Sequence, residues 1–172
     1  MEVIGEKLEE VFDEVLLLSN DHEKFKQIKY KVFQDIIPDL GPIGAIYSAL
    51  KYASSEYVFI TACDMPVVNI NFINYMEELI KAEHVEGVVS YKSNYIEPLY
   101  AFYSKSMIER IEKQINFKNY KLLQVIKSSK MHYIEESEVR NYCSNLDIFT
   151  NLNYKEDLSL LKKIFSEDNS KS

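Results

Sequence analysis

With 172 residues, 47% of them hydrophobic and 27% charged, the chain has the length and composition of one soluble globular domain rather than of a disordered segment. Its 20 Lys and Arg against 27 Asp and Glu leave a formal charge of -7, which excludes a broad nucleic-acid surface, because phosphate-backbone binding needs clustered cations. Cys63 and Cys143 form no CxxC pair, no apolar run approaches a membrane span, and Met1-Glu2-Val3-Ile4 does not open a signal peptide; a cytoplasmic protein without a disulfide framework or structural zinc is expected.

Along the chain, strand and helix signals alternate, the mark of an α/β layered domain. Ile4, Leu8, Val11 and Phe12 have helical spacing within Val3 to Phe12. Val15 to Leu18 and Tyr30 to Phe33 read as short strands, and Ile43, Ile46, Tyr47 and Leu50 mark one face of a helix. Tyr57 to Ala62 (YVFITA) is an uncharged, β-branched and aromatic strand, followed by a helix carrying Phe72, Ile73, Met76, Leu79 and Ile80. Val88 to Tyr91 and Leu99 to Tyr103 predict two strands around a polar turn. Met107 to Ile115 and Leu122 to Ile126 predict helices, and Met131 to Ile134 and Ile148 to Thr150 late strands. Leu158 to Phe165 has the pattern of a closing amphipathic helix. A single domain over residues 1–165 and a polar tail over 166–172 follow, since no Gly- or Pro-rich linker divides the chain.

Three strand ends carry residues suited to chemistry. Asp64, after the YVFITA strand and before Pro66, is placed at the carboxyl edge of a sheet, where ligands bind in open α/β folds and a carboxylate suits Mg2+. From spacing alone it reads equally well as the cap of the helix entered around Asn69 to Phe72. Gly41 and Gly44 in IIPDLGPIGAI let backbone amides approach an anion at a helix start, although Pro and Gly also make ordinary turns. Asn20 in Ser19-Asn20-Asp21 reaches a base or ribose, or is a polar strand end. His22, His84 and His132 lack metal-ligand spacing and read as surface histidines. Glu135 to Glu138 reads as a solvated helix start, and Lys121, Lys127 and Lys130 read as a solvated face.

Taken in order, the segments EVLLLSND (14–21), IPDLGPIGAI (37–46), VFITACDMP (58–66), IEPLYAFY (96–103) and TNLNYKEDL (150–158) resemble the molybdenum-cofactor guanylyltransferases of the nucleotidyltransferase superfamily. The resemblance implies a three-layer α/β, Rossmann-like nucleotidyltransferase domain with a mostly parallel sheet. It also implies GMP transfer from Mg-GTP to molybdopterin, with pyrophosphate released. By the same resemblance Asn20, Asp39, Gly41, Pro42 and Gly44 match the guanine-nucleotide positions. Asp64 matches the catalytic Mg2+ ligand, and Asn151 and Asn153 match the paired asparagines near the pterin or metal end of the site.

The chain also departs from that pattern. The family's opening strand and its LAGGxSxRMGxDK phosphate loop have no counterpart, a shortfall on the order of 25–30 residues. This first strand belongs at the centre of the sheet, so its loss is expected to expose two apolar strand edges and to remove phosphate-binding amides and cations. Ala45 replaces a usual glycine, and Tyr154-Lys155 replaces Thr-Pro. Turnover by this chain as given is therefore not expected. A non-catalytic paralogue acting as a binding or partner module, and a related cytidylyltransferase, are the alternatives.

Overall fold

The YVFIT segment sets the architecture, because its uncharged side chains demand cover on both sides. The computed structural model describes residues 2–25 and 27–151. It places β3 (Tyr57–Thr61) at one edge of a four-stranded sheet in the order β3-β5-β4-β6, with β4 at Gly87–Lys92, β5 at Tyr95–Ser104 and β6 at Met131–Ile134. β5 runs antiparallel to both β3 and β4, and β6 runs parallel to β4. Three of the four strands thus point the same way. A separate two-stranded parallel sheet joins β1 (Leu16–Leu18) to β2 (Lys31–Phe33).

Helices cover both faces, which completes three layers. On one face α3 (Ile70–Glu83) and α6 (Glu136–Tyr142) enclose Phe72, Ile73, Met76, Tyr100, Phe102 and Phe149. On the other, α2 (Pro42–Tyr52), α4 (Ile108–Asn116) and α5 (Leu122–Lys127) enclose Ile46, Leu50, Ala101, Tyr103, Ile111 and Ile126. The short α1 (Glu2–Leu8) precedes β1 and buries Ile4. α3 starts where the Asn69 side chain accepts the Phe72 N–H and stops where His84 turns left-handed at φ 51°.

The expected elements are found, with differences that have physical causes. Ile148 to Thr150, expected as a strand, is a 3-10 turn at Asp147–Phe149 entered through Leu146 at φ 58°. Its apolar signal reflects burial, since the Phe149 ring meets Tyr100 edge-on at 5.9 Å. Glu135 to Glu138 is not merely solvated: Glu136 accepts the Ser93 N–H at 2.6 Å and Glu138 accepts the Tyr75 hydroxyl at 2.8 Å. Lys130 donates to the carbonyls of Glu83 and His84, and His132 is half-buried with Nδ1 at 2.8 Å from Glu83. The helix expected over Leu158 to Phe165 lies outside the described residues. No helix among the described residues is long and apolar enough to cross a membrane.

The two phenylalanines Phe72 and Phe117 make the core testable. Phe72 is fully buried, whereas Phe117 is 82% exposed. In urea denaturation, Phe72→Ala is expected to cost about 3–5 kcal/mol and Phe117→Ala no more than about 0.5 kcal/mol.

Candidate functional site

β1, β2 and β3 each end in a polar loop, and these loops hold most of the residues singled out from the sequence. Beyond β1, Asn20 is fixed by Asp35, a residue beyond β2 that sequence reasoning missed. The Asn20 Nδ2 donates to Asp35 Oδ2 at 3.0 Å, and the Asp35 N–H donates to Asn20 Oδ1 at 3.1 Å. This reciprocal pair orients the carboxamide and leaves one Nδ2 hydrogen unused by it.

The following loop reaches α2 through glycine. Gly41 caps the helix at φ 65° and ψ -148°, a backbone region essentially reserved for glycine, and Pro42 takes the first helical position, where its missing N–H costs nothing. Gly44 is needed for closeness: a Cβ there would lie 2.9 Å from the Leu40 Cβ and 3.3 Å from the Ile37 carbonyl oxygen. Ser48, also missed, ties the loop down. Its buried hydroxyl donates to the Gly44 carbonyl at 2.8 Å and accepts the Ile36 N–H at 2.9 Å. Serine within a helical apolar stripe gave no signal of this role. Asp39 stands exposed at φ 63°, without a hydrogen bond or ion pair among the described residues.

Beyond β3, the chain turns at Ala62, whose carbonyl accepts the Met65 N–H at 3.1 Å. Asp64 sits half-buried in this turn. Asn69, not Asp64, caps α3, which removes the capping alternative. The Asp64 carboxylate has neither a hydrogen bond nor an ion pair among the described residues. Its charge is felt by Cys63, whose thiol is pushed up first by burial and then by Asp64.

Asn151 belongs to the same sheet edge by topology. β3 and β4 point the same way, and Lys92 at the end of β4 donates to the Phe149 carbonyl at 2.6 Å, holding the chain just before Thr150 and Asn151. Lys92 was not legible as an anchor. Asn153 lies outside the described residues.

A cavity of about 990 Å³ opens between β1 and β3, and Asp35, Gly41, Pro42 and Cys63 line it. Asn20, Asp39, Gly44 and Asp64 are not part of that lining. Among the described lining residues Lys81 is the one Lys or Arg, and it pairs with Glu77 at 3.2 Å. No group of three or more His, Cys, Asp or Glu able to hold a metal occurs among the described residues. The arrangement therefore offers single carboxylates and helix-start amides, suited to a ligand that brings its own metal-binding oxygens.

The profile of the MobA-like NTP transferase domain matches residues 1–132. The molybdenum cofactor guanylyltransferase of Syntrophotalea carbinolica is 35% identical over 153 residues, 89% of this chain and 73% of that protein. The crystal structure of molybdopterin-guanine dinucleotide biosynthesis protein A from Archaeoglobus fulgidus superposes with a TM-score of 0.74 at 21% identity, covering 94% of this chain and 85% of that one. The 2-C-methyl-D-erythritol 4-phosphate cytidylyltransferase of Francisella tularensis shares the fold at a TM-score of 0.60 and 12% identity, over 88% and 80% of the two chains.

The loop that carries Asp39 and Gly41 depends on Ser48. Ser48→Ala removes the acceptor of the part-buried Ile36 N–H, so a loss of about 0.5–1.5 kcal/mol is expected in urea denaturation. Hydrogen exchange at the Ile36 amide should accelerate while exchange in α4 stays unchanged.

Proposed function

Because the chain belongs to the MobA-like NTP transferase domain family, we propose that it holds a guanine nucleotide at the carboxyl ends of β1, β2 and β3 and serves GMP transfer to molybdopterin. In that reaction a phosphate oxygen of molybdopterin forms a bond to the α-phosphorus of GTP. The bond from that phosphorus to the bridging oxygen breaks, and its electron pair leaves with pyrophosphate. Such a transfer needs positioning and charge neutralisation more than a protein nucleophile.

The observation that carries the reading is the Asp64 carboxylate, half-buried beyond β3 and unclaimed once Asn69 caps α3. Mg2+ fits it, since this ion is held by one or two carboxylates and completes its shell with substrate phosphates and water. When bound there, the ion would neutralise charge on the triphosphate. Asn20, oriented by Asp35, offers a hydrogen to a base acceptor, while Asp39 is an acceptor-only group suited to the N–H edge of guanine. Gly41, Pro42 and Gly44 set the start of α2 beside them. Asn151 and Asn153 would meet the pterin end. The 35% identity to a molybdenum cofactor guanylyltransferase supports guanine over cytosine.

A second reading, nucleotide binding without transfer, is favoured by the shortage of cations. Lys92, at the carboxyl end of β4, is engaged by the Phe149 carbonyl.

Asp64→Asn separates metal-dependent binding from folding. Calorimetric titration with GTP in Mg2+ is expected to weaken by about ten-fold or more, about 1.4 kcal/mol, with the melting temperature unchanged. With the metal chelated, parent and variant should bind alike. Equal affinities in Mg2+ would remove Asp64 from the site. GMP transfer by the parent chain would then decide for the first reading, and tight Mg-GTP binding without transfer for the second.

A further inference from the structure

The turn that joins α4 to α5 displays apolar side chains that the fold does not use. Phe117 is 82% exposed, and Tyr120 and Leu123 are each 44% exposed. Burial in these two helices falls to Ile111, Leu122, Val125 and Ile126, which enter the core beneath α2; Phe117, Tyr120 and Leu123 join neither core. Apolar residues scattered singly over a surface are ordinary, whereas a contiguous group marks a place of contact. The turn lies on the α2 face, opposite the face on which Leu8, Val11 and Phe12 pack.

Positive charge is concentrated in the same place. Residues 113–130 hold five Lys and no Asp or Glu, within a chain of net charge -7. Lys130 is engaged by the Glu83 and His84 carbonyls. Lys113, Lys118, Lys121 and Lys127 are exposed, and their ammonium groups have no hydrogen bond or ion pair among the described residues. Residues four apart share a helix face, so Lys113 flanks Phe117 and Lys127 flanks Leu123. The turn is also held in shape. Lys118 turns left-handed at φ 53°, and its N–H donates to the Ile115 carbonyl at 2.8 Å. The Asn119 carboxamide bridges the two helices, donating to Gln114 Oε1 on α4 at 2.7 Å and to Gln124 Oε1 on α5. Phe117 is thus presented from a fixed backbone, which lowers the entropy cost of binding it.

These surroundings select the partner. An exposed aromatic ring among unpaired lysines complements an apolar hollow rimmed by carboxylates, the setting in which aromatic anchors carry most of the binding energy. An extended polyanion, such as a nucleic-acid backbone or an anionic membrane, would run past the turn onto the acidic remainder of the chain, where repulsion opposes it. A short acidic segment ends before that repulsion begins. We propose that the α4–α5 turn docks an acidic, leucine-bearing segment of another protein, with Phe117 as the anchor and the four unpaired lysines as its electrostatic rim. This goes beyond the nucleotide reading and does not depend on it.

The test titrates the full chain with a labelled peptide of Leu residues between glutamate blocks, read by fluorescence anisotropy and amide resonances. Saturable binding is expected, weakened by added salt, with resonance shifts centred on residues 113–127. Phe117→Ser should weaken it about ten-fold or more at unchanged melting temperature. Lys113→Glu combined with Lys121→Glu should weaken it about ten-fold or more and favour a lysine-flanked peptide instead. No saturable binding, full binding by both variants, or shifts centred elsewhere would overturn the proposal. So would tighter binding to single-stranded DNA or phosphatidylserine vesicles than to the peptide, or a Phe117 ring shielded from a soluble paramagnetic probe in the chain alone.

Discussion

The register of β5 constrains everything else in the molecule. Phe102 stands opposite Phe59 on β3 and opposite Val88 on β4, so one residue fixes two strand pairings. Tyr100 and Phe102 enter the core beneath α3, while Ala101 and Tyr103 enter the core beneath α2. A slip of one residue would exchange these sets, driving two large rings into a layer packed around Ala101. The Tyr100 hydroxyl also accepts the Asn69 N–H at 3.0 Å, so the same register sets the start of α3. The distance along the chain from Thr61 to Asn69 is thereby pinned at both ends, and Asp64 lies within it.

That constraint accounts for the character of the candidate site. Asp64 sits between a paired strand and a capped helix and can remain half-buried without contributing to either. On the neighbouring loops the same division holds: Ser48 and Asp35 hold backbone and carboxamide in place, while Asp39 and the second Nδ2 hydrogen of Asn20 are left to face outward. Single carboxylates and oriented dipoles, rather than a preformed metal cage, are what a phosphate-bearing nucleotide with its own Mg2+ would meet.

Much of this was legible in the sequence, for identifiable reasons. Alternating and 3.6-residue patterns located most elements, because β3, α2 and α3 carry local signals strong enough to survive tertiary context. Asp64 was legible as a strand-end carboxylate, but excluding it as the cap of α3 needed the Asn69 bond. Asp35, Ser48 and Lys92 were not legible, since each acts through a partner distant in sequence: Asn20, Ile36 and Phe149. Ile148 and Phe149 misled because burial in a turn and burial in a strand look alike over three residues.

A metal-bound guanine nucleotide at the carboxyl ends of β1, β2 and β3 would bring its metal within reach of the Asp64 turn. Substituting Mn2+ for Mg2+ and recording amide resonances with GTP present tests it most directly. Paramagnetic broadening is expected to centre on Ala62 to Met65, to extend to Asn20 and Gly41, and to vanish when GTP is withheld. Broadening centred on the acidic surface of α6, or independent of GTP, would contradict it.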